Sequence, residues 1–219
     1  EASHVFEDLG GRIEGILEDG AVGIGVESTI VDLSENCPTL LRPGAITIED
    51  LEEVLGEKVA IDPTLLGKSM AEGFIPKAPG MKYRHYAPKA EMILFKKNLL
   101  SDQSQKVNEI PYGEEKKLIA KSILSYGGKE LSDCPERKIW ILCGEDTASL
   151  YEGDGRFTVQ ILGRREEPLS MTHNLFRLLR KADEEGVELI LGECYSEEGV
   201  GFALMNRLKK AAGQRIFYV

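Results

Sequence analysis

The stretch Val187–Gly213, VELILGECYSEEGVGFALMNRLKKAAG, decides the fold of this chain. Its first residues, Val187–Leu191, form a short apolar run typical of strands that are buried inside a parallel sheet. A glycine-bearing loop follows, and from about Val200 to Ala212 apolar residues recur at helical spacing until Gly213 ends the pattern. A buried strand followed by a short loop and an amphipathic helix is the repeating unit of an α/β fold.

The same alternation extends from about Ala90 to the end of the chain. A second amphipathic helix is predicted to be capped by Ser170 and to end at Gly186. Further buried strands are predicted at Met92–Phe95, Ile139–Cys143, Phe157–Leu162 and Gln214–Tyr218. Short connections between alternating elements favour a Rossmann-like, mainly parallel sheet domain over residues 90–219.

The first 57 residues have a different pattern. Ser28–Leu33 and Cys37–Leu41 are expected to pair as an antiparallel hairpin. Thr47 and Asp50 resemble a capping box that opens a helix. Three residues of this helix are expected to be buried: Leu51, Val54 and Leu55. So few elements cannot close a hydrophobic core, so residues 1–57 are interpreted as part of a larger α/β domain.

Residues 58–89 show no periodicity, and glycine and proline recur throughout, which predicts an extended linker. Between Lys68 and Lys89 there are five basic residues and one acidic residue, a net charge of 5 − 1 = +4. The whole chain has 27 Lys and Arg against 37 Asp and Glu, a net charge of −10. A cationic segment in an acidic chain indicates a stretch that meets an anion.

The composition excludes several classes of protein. With 219 residues, 42% hydrophobic and 29% charged, the chain is neither disordered nor collagen-like. No apolar run approaches the roughly 18–20 residues of a membrane span, and an acidic chain binds anionic membranes and nucleic acids poorly. The four cysteines are scattered without a C-x-x-C pair, so we expect a cytoplasmic protein with no metal site.

Arg42 is the first candidate binding residue, because it directly follows a predicted strand and precedes Pro43-Gly44. Its guanidinium could hold a phosphate or carboxylate with two parallel hydrogen bonds. Ser28 and Thr29, on the neighbouring strand, would place two hydroxyls near the same edge. The alternative is a surface arginine beside a strand that merely favours threonine, and the sequence leaves the two interpretations equally weighted.

The run Ala78–Lys89, APGMKYRHYAPK, is the most specific feature of the chain. It contains two aromatic rings, a guanidinium and an imidazole in four consecutive residues: Tyr83, Arg84, His85 and Tyr86. Such a set can stack against a base and donate hydrogen bonds to phosphate oxygens. The alternative is a linker that docks on its own protein through its aromatic rings.

The loop at residues 192–201 is the other position where an α/β sheet could bind a ligand. It has glycines after a strand and before a helix, but no lysine and no Walker-type spacing. Glu193, Glu197 and Glu198 would repel a phosphate. These residues favour a structural loop and leave ligand binding open.

Six stretches together resemble the two-domain threonylcarbamoyl-adenylate synthases. They are VESTIVD (26–32), LRPG (41–44), APGMKYRHYAP (78–88), GRREEP (163–168), LFRLLR (175–180) and NRLKKAA (206–212). In that family a YrdC-like catalytic domain is joined by a linker to a Rossmann-like domain. The resemblance implies that residues 1–57 are the C-terminal remnant of the YrdC-like domain and residues 58–89 a linker that covers the active site. Residues 90–219 would be the Rossmann-like domain.

The resemblance implies adenylation chemistry that serves the t6A modification of tRNA. L-threonine and bicarbonate form a carbamate, which attacks the α-phosphate of ATP, supplied with Mg²⁺, and expels pyrophosphate. The product passes to the t6A transfer machinery. By resemblance, Ser28 and Thr29 would line the nucleotide and threonine pocket, and Arg42 would contact substrate anions. Tyr83, Arg84, His85 and Tyr86 would belong to the linker that folds over the site.

The chain departs from the family pattern at its beginning. The family's Lys-x-Arg and Ser-x-Asn motifs belong upstream of Ala2 and are not in this sequence. We therefore expect the chain to be a truncated form that is inactive alone, with exposed apolar surface near its N-terminus that supports dimerisation. The rival hypotheses are a non-enzymatic regulatory or interaction module based on residues 90–219, and an RNA-binding role, which the net charge disfavours.

Overall fold

The computed structural model describes residues 1–67, 76–79, 87–98 and 112–219. Its helices are α1 (Ala2–Leu9), α2 (Ile48–Leu55), α3 (Tyr112–Asp133), α4 (Pro168–Glu184) and α5 (Val200–Ala211). Its strands are β1 (Ile30–Asp32), β2 (Thr39–Arg42), β3 (Ala60–Ile61), β4 (Glu91–Lys96), β5 (Ile139–Gly144), β6 (Thr158–Gly163), β7 (Leu189–Glu193) and β8 (Ile216–Tyr218). We call residues 1–67 the first region and residues 87–219 the second region.

The second region is built on a five-stranded sheet in the order β6-β5-β7-β4-β8. Every neighbouring pair of strands in this sheet is parallel. The predicted α/β class with a mainly parallel sheet is therefore confirmed. Every residue of the central strand β7 is buried, as expected for a strand covered on both faces.

Two hydrophobic cores cover the two faces of this sheet. Alternate strand residues point to opposite faces, so Trp140, Leu142 and Ile190 pack with α4 and α5, whereas Ile141 and Leu191 pack with α3. The sequence analysis did not assign α3, although Ile119, Ala120 and Ile123 form its buried stripe.

The strand order creates a crevice at the carboxyl ends of β5 and β7. The chain leaves β5 towards β6, on one side of the sheet, and leaves β7 towards β8, on the other side. In α/β sheets, ligands usually bind at the carboxyl ends of two neighbouring parallel strands whose connections run in opposite directions. The residues at this position are described with the site below.

The first region contains the small sheet β1-β2-β3. The predicted antiparallel hairpin is confirmed, since Ile30 pairs with Arg42 and Asp32 with Thr39. The predicted capping box is confirmed as well, because the Thr47 hydroxyl accepts from the Asp50 amide and the Asp50 carboxylate accepts from the Thr47 amide.

Two expectations about the first region are wrong. The stretch expected to be an irregular linker from residue 58 contains β3, which pairs in parallel with β2, and a 3-10 turn over Pro63–Leu66. No residue of α2 is buried, and Val54 is 85% exposed. The other three apolar residues of the helix, Ile48, Leu51 and Leu55, are only partly buried.

Within the described ranges, no helix is both long enough and apolar enough to cross a bilayer.

Candidate functional site

The hairpin β1–β2 brings Ser28 and Arg42 together. The Arg42 guanidinium donates from Nε to the Ser28 carbonyl oxygen at 2.9 Å and from Nη2 to the Ser28 hydroxyl oxygen at 3.2 Å. Ser28 is exposed, so its hydroxyl and the edge of the guanidinium face the same surface. The two groups form one polar site that a ligand anion could approach.

Thr29 is part of the frame of this site. Its hydroxyl donates to the Ile46 carbonyl at 2.7 Å, which ties the beginning of the hairpin to the segment before α2. Gly44 lies against the same backbone, because a Cβ at this position would be 2.5 Å from the Thr29 amide nitrogen and 2.6 Å from the Glu27 carbonyl oxygen. The glycine therefore permits close contact with the chain's own backbone.

Arg207, on α5 of the second region, reaches the same hairpin. Its Nε donates to the Glu27 carboxylate at 2.7 Å, and its Nη2 donates to the Pro43 carbonyl at 3.4 Å. Nη1 donates to the Asn206 side chain at 2.7 Å. The Arg207 side chain is 7% exposed, so this is a nearly buried ion pair between the two regions.

Glu27, Arg42, Arg207 and Lys210 form a charged group that we call the junction cluster. Burial opposes ionisation of Glu27, but Arg207, hydrogen bonding and Arg42 outweigh it and lower the pKa of this carboxyl. Burial, together with the charges of Arg207 and Arg42, lowers the pKa of Lys210 to about 8. With three cations and one carboxylate, the cluster carries a net charge of 3 − 1 = +2 when Lys210 is protonated, in a chain of net charge −10.

The sequence analysis missed Glu27, Arg207 and Lys210. Asn206 to Ala212 was noted only as a stretch that carries the family resemblance, and no spacing rule relates position 207 to position 27. The available signal was three basic residues in the C-terminal half of a largely apolar helix: Arg207, Lys209 and Lys210.

The aromatic and basic residues Tyr83, Arg84, His85 and Tyr86 lie outside the described residues. The chain on either side of them is anchored. On one side Ala78 packs with Leu41 and Ile30 of the hairpin, and Lys77 pairs with Asp32 at 3.0 Å and with Glu35 at 2.7 Å. On the other side the Lys89 amide donates to Asp183 of α4 at 2.7 Å.

The crevice at the ends of β5 and β7 holds Glu193, which is 2% exposed. Its carboxylate accepts hydrogen bonds from the Gly144 amide, Thr147, Tyr151 and Arg165 at 3.2, 2.9, 2.7 and 2.8 Å. Hydrogen-bond donors of the chain itself thus surround Glu193, the residue that would face a ligand here. Burial and the charge of Glu193 raise the pKa of Tyr151. These contacts favour the structural interpretation of residues 192–201.

The loop between β7 and α5 borders a cavity of about 350 Å³ between the two regions. Pro43 and Gly44 line it from the first region, and Gly199 and Phe202 line it from the second. Gly201 is required at the bend, since a Cβ there would be 2.3 Å from the Ser196 carbonyl oxygen. The loop therefore faces the segment that follows Arg42.

Among the described residues, no group of three or more His, Cys, Asp and Glu side chains has the arrangement of a metal site. The four cysteines are free: Cys37, Cys134, Cys143 and Cys194. Burial raises the pKa of Cys143 to about 12 and that of Cys194 to about 11, so neither is an activated thiol.

A Mg²⁺ ion that accompanies a nucleotide would be held mainly by phosphate oxygens and water.

The fold and the site define an α/β protein whose two regions meet at a positively charged junction beside a serine–arginine pair. A family model described as "Threonylcarbamoyl-AMP synthase, C-terminal domain" matches residues 46–213. The chain belongs to this family, and the resemblance found in the sequence is confirmed.

Curated relatives match along nearly the whole chain. A protein named threonylcarbamoyl-AMP synthase from Pyrococcus abyssi is 41% identical over 218 residues, which are 100% of this chain and 55% of the relative. Proteins of the same name from Bacillus subtilis and Schizosaccharomyces pombe are 35% and 38% identical, over 99% and 96% of this chain and 54% and 48% of their own lengths. The chain spans about half the length of the curated relatives it matches.

Solved structures show the same relationship. The crystal structure of P. abyssi Sua5 complexed with L-threonine superimposes with a TM-score of 0.75 at 38% identity, over 100% of this chain and 55% of that chain. A variant of P. abyssi Sua5 gives a TM-score of 0.73 at 37% identity, over 100% of this chain and 54% of that chain.

Proposed function

We propose that this chain forms part of an L-threonylcarbamoyladenylate synthase, a nucleotidyltransferase that serves the t6A modification of tRNA in the cytoplasm. The whole enzyme converts L-threonine, bicarbonate and ATP into threonylcarbamoyl-AMP, pyrophosphate and water, and the water is lost when the threonine amine and bicarbonate form the carbamate. The observation that carries the proposal is the Ser28–Arg42 pair beside the junction cluster, in a chain whose relatives bear this enzyme's name. The P. abyssi structure complexed with L-threonine supports the substrate.

The reaction asks mainly for groups that hold anions. A carboxylate oxygen of the threonine carbamate attacks the α-phosphorus of ATP, and the bond from that phosphorus to the oxygen bridging the α- and β-phosphates breaks, which releases pyrophosphate. Negative charge on the phosphoryl oxygens is best stabilised by donors that are already in place. Arg42 would contact the substrate anions, and the exposed Ser28 hydroxyl would donate to threonine or nucleotide. Thr29 would hold the frame of this pocket.

The linker residues Tyr83, Arg84, His85 and Tyr86 would close over the bound nucleotide. The contact of Ala78 with the hairpin supports this, because Ala78 packs with Leu41, the neighbour of Arg42, and shortly precedes these linker residues in the chain. Mg²⁺ would enter with ATP as part of the substrate. The product would pass to the enzymes that transfer it to tRNA, and the net charge of −10 argues against direct RNA binding by this chain.

The 219 residues alone should not catalyse the reaction. They span about half of the curated relatives, and removal of even one preorganised donor to a reacting oxyanion costs roughly 100- to 1,000-fold in rate. The first region also exposes large apolar side chains, among them Phe6, Leu17 and Val54. We therefore infer that the isolated chain self-associates through this surface, which analytical ultracentrifugation at several concentrations would show.

The test measures pyrophosphate release that depends on both threonine and bicarbonate. This chain alone is compared with the same chain joined behind the preceding half of the P. abyssi relative. The fusion should release pyrophosphate and the chain alone should not. In the fusion, Arg42→Ala should lower kcat/KM by about 100-fold, whereas Arg12→Ala, at an exposed arginine of the first region, should leave it unchanged.

Two results would contradict the proposal. If the folded fusion released no pyrophosphate, the adenylation activity would be wrong, and an interaction module based on the second region would be the better hypothesis. If the fusion were active but Arg42→Ala behaved like Arg12→Ala, the assignment of the anion-binding residue would be wrong.

A further inference from the structure

We propose that Arg207 of α5 is a positioning residue for the substrate-binding hairpin, so that the second region contributes directly to the geometry of the site. This inference rests on the proposed function. It assigns the second region a role that neither its fold nor the family resemblance supplies.

The contacts of Arg207 bracket the two residues of the site. Glu27, which accepts from Nε, immediately precedes Ser28, and Pro43, which accepts from Nη2, immediately follows Arg42. A single guanidinium therefore holds both sides of the hairpin at the points where the Ser28 and Arg42 side chains leave it. Because the guanidinium is planar and its donors have fixed directions, it fixes the relative position of these two points.

The hairpin depends on such outside contacts because it has little core of its own. Its buried apolar side chains are Leu40, Leu41, Val59 and Ala78, and α2 has no buried residue. In contrast, α5 has Leu204, Met205 and Leu208 fully buried against the parallel sheet. Arg207 thus transmits the rigidity of α5 to a hairpin that would otherwise be free to shift.

Arg207 also keeps the Glu27 carboxylate from pairing with Arg42. Glu27 interacts electrostatically with both Arg207 and Arg42. If Arg207 is removed, the Glu27 carboxylate loses its hydrogen-bonded partner, and Arg42 and Lys210 are the cations of the junction cluster that remain beside it. The carboxylate would then compete with substrate anions for Arg42 and draw its guanidinium away from Ser28.

This argument predicts a specific pattern of kinetic effects in the fusion protein described above. Arg207→Ala should raise the KM for ATP by about 10- to 100-fold, since small displacements of a binding group have effects of this size. The double variant Arg207→Ala, Glu27→Gln should recover only part of this loss, because the competing carboxylate is gone while the contact with the Pro43 carbonyl is still absent. Arg177→Ala, at an exposed arginine of α4, is the matched control and should change nothing.

A merely structural role would give another pattern. The double variant would then be as impaired as Arg207→Ala or worse, and the unfolding transition reported by Trp140 would shift together with KM. Either that pattern or a KM for ATP unchanged in Arg207→Ala would overturn the inference.

Hydrogen exchange on the 219-residue chain separates this inference from the proposed function. Arg207→Ala should raise amide exchange in residues 27–44 by about tenfold or more while leaving β7 protected, and Arg177→Ala should not. If the unaltered fusion is inactive but this exchange effect appears, the proposed function fails and the positioning contact stands. If exchange in the hairpin is unchanged, the positioning inference fails whatever the activity.

Discussion

The two sheets of this molecule differ in what holds them in place. The five-stranded sheet of the second region is covered by α3 on one face and by α4 and α5 on the other, with a continuous core on each side. Among the described residues, the three-stranded sheet of the first region has a much smaller set of buried apolar side chains: Leu40, Leu41, Val59 and Ala78. The second region therefore stabilises itself, whereas the first region relies on its contacts with the second.

Those contacts are few and polar, and some involve the backbone directly. Thr172 of α4 donates its hydroxyl hydrogen to the Ile24 carbonyl at 2.8 Å. Arg180 pairs with Glu7 at 2.7 Å and with Asp8 at 2.6 Å. Because surface ion pairs contribute little to stability, the arrangement of the first region depends on specific hydrogen bonds and close approaches. Substitutions in the two regions should therefore have effects of different size and kind.

The largest effect should come from Glu193, in the crevice of the second region. Glu193→Ala should lower the free energy of unfolding by about 4 kcal/mol, because it removes the acceptor of the buried Tyr151 hydroxyl and one of the two carboxylate partners of Arg165. Urea unfolding followed by the fluorescence of Trp140 measures this, since Trp140 is the single tryptophan and is 1% exposed. Glu152→Ala, at an exposed glutamate, is the control and should change stability by less than about 0.5 kcal/mol.

A loss below about 1 kcal/mol for Glu193→Ala would show that water or rearranged donors replace the carboxylate easily. The crevice would then be adaptable, and the structural interpretation of residues 192–201 would be wrong.

A matched pair of apolar truncations compares the two regions more directly. Leu175→Ala removes a fully buried side chain of α4 and should cost about 3 kcal/mol in the free energy of unfolding. Val54→Ala removes an 85% exposed side chain of α2 and should cost less than about 0.5 kcal/mol. The same urea titration measures the cost of Leu175→Ala, and amide exchange in residues 48–55 measures the cost of Val54→Ala in the first region. A cost for Val54→Ala close to that for Leu175→Ala would mean that the exposed stripe of α2 is covered in solution, for example by self-association.

The fold of the second region was predictable because its elements follow local rules. The central strands β5 and β7 are apolar runs that are buried on both faces, and α4 and α5 have apolar residues at helical spacing. The helix α3 was missed because charged residues surround its short buried stripe of Ile119, Ala120 and Ile123. The strand β3 was missed because two residues paired with a distant strand leave no periodic signal.

The candidate site was predictable only in part. Ser28 and Arg42 could be related because they lie on adjacent strands of one hairpin, whose pairing the sequence indicates. Arg207 and Lys210 could not be related to them, because their proximity depends on how α5 meets the first region, which is a tertiary contact across more than 160 residues. Burial of Leu51, Val54 and Leu55 was wrongly predicted, because an apolar stripe on a helix does not identify what covers it.

A backbone contact between the regions gives the next largest effect. Gly25 has φ +76°, and a Cβ there would lie 2.5 Å from the His173 Cα and 2.6 Å from the Thr172 carbonyl oxygen. Gly25→Ala should therefore separate this segment from α4 and increase amide exchange around residues 22–30 by the equivalent of about 1–3 kcal/mol. The Trp140 unfolding midpoint should stay unchanged.

Gly20→Ala is the control for Gly25→Ala. Gly20 has nearly the same φ, +82°, but a Cβ there would contact nothing within 4 Å. Gly20→Ala therefore measures only the cost of placing alanine at a positive φ, which is about 1 kcal/mol. Equal effects of the two substitutions would show that the close approach to α4 contributes nothing to the docking of the first region.

The smallest effect is a pH dependence at the junction cluster. Lys210 has a folded-state pKa of about 8, below its usual 10.5, because of burial and the charges of Arg207 and Arg42. Below pH 8 Lys210 is protonated in both the folded and the unfolded state. The full cost of burying its positive charge then lowers the free energy of unfolding. Between pH 8 and 10.5 the unfolded state binds a proton that the folded state has released, so this residue's contribution to stability rises with pH.

The variant Lys210→Met lacks this titration, so it should be more stable than the unaltered chain at pH 7, and its advantage should shrink as the pH rises from 8 to 10.5. Urea unfolding of both proteins at pH 7, 8, 9 and 10 measures the difference, from which groups common to both, such as Cys143, cancel. Lys129→Met, at an exposed lysine of α3, controls for the loss of a positive charge. An advantage that stays constant over this range would mean that Lys210 keeps its proton at the junction, and that burial and the charges of Arg207 and Arg42 do not lower its pKa.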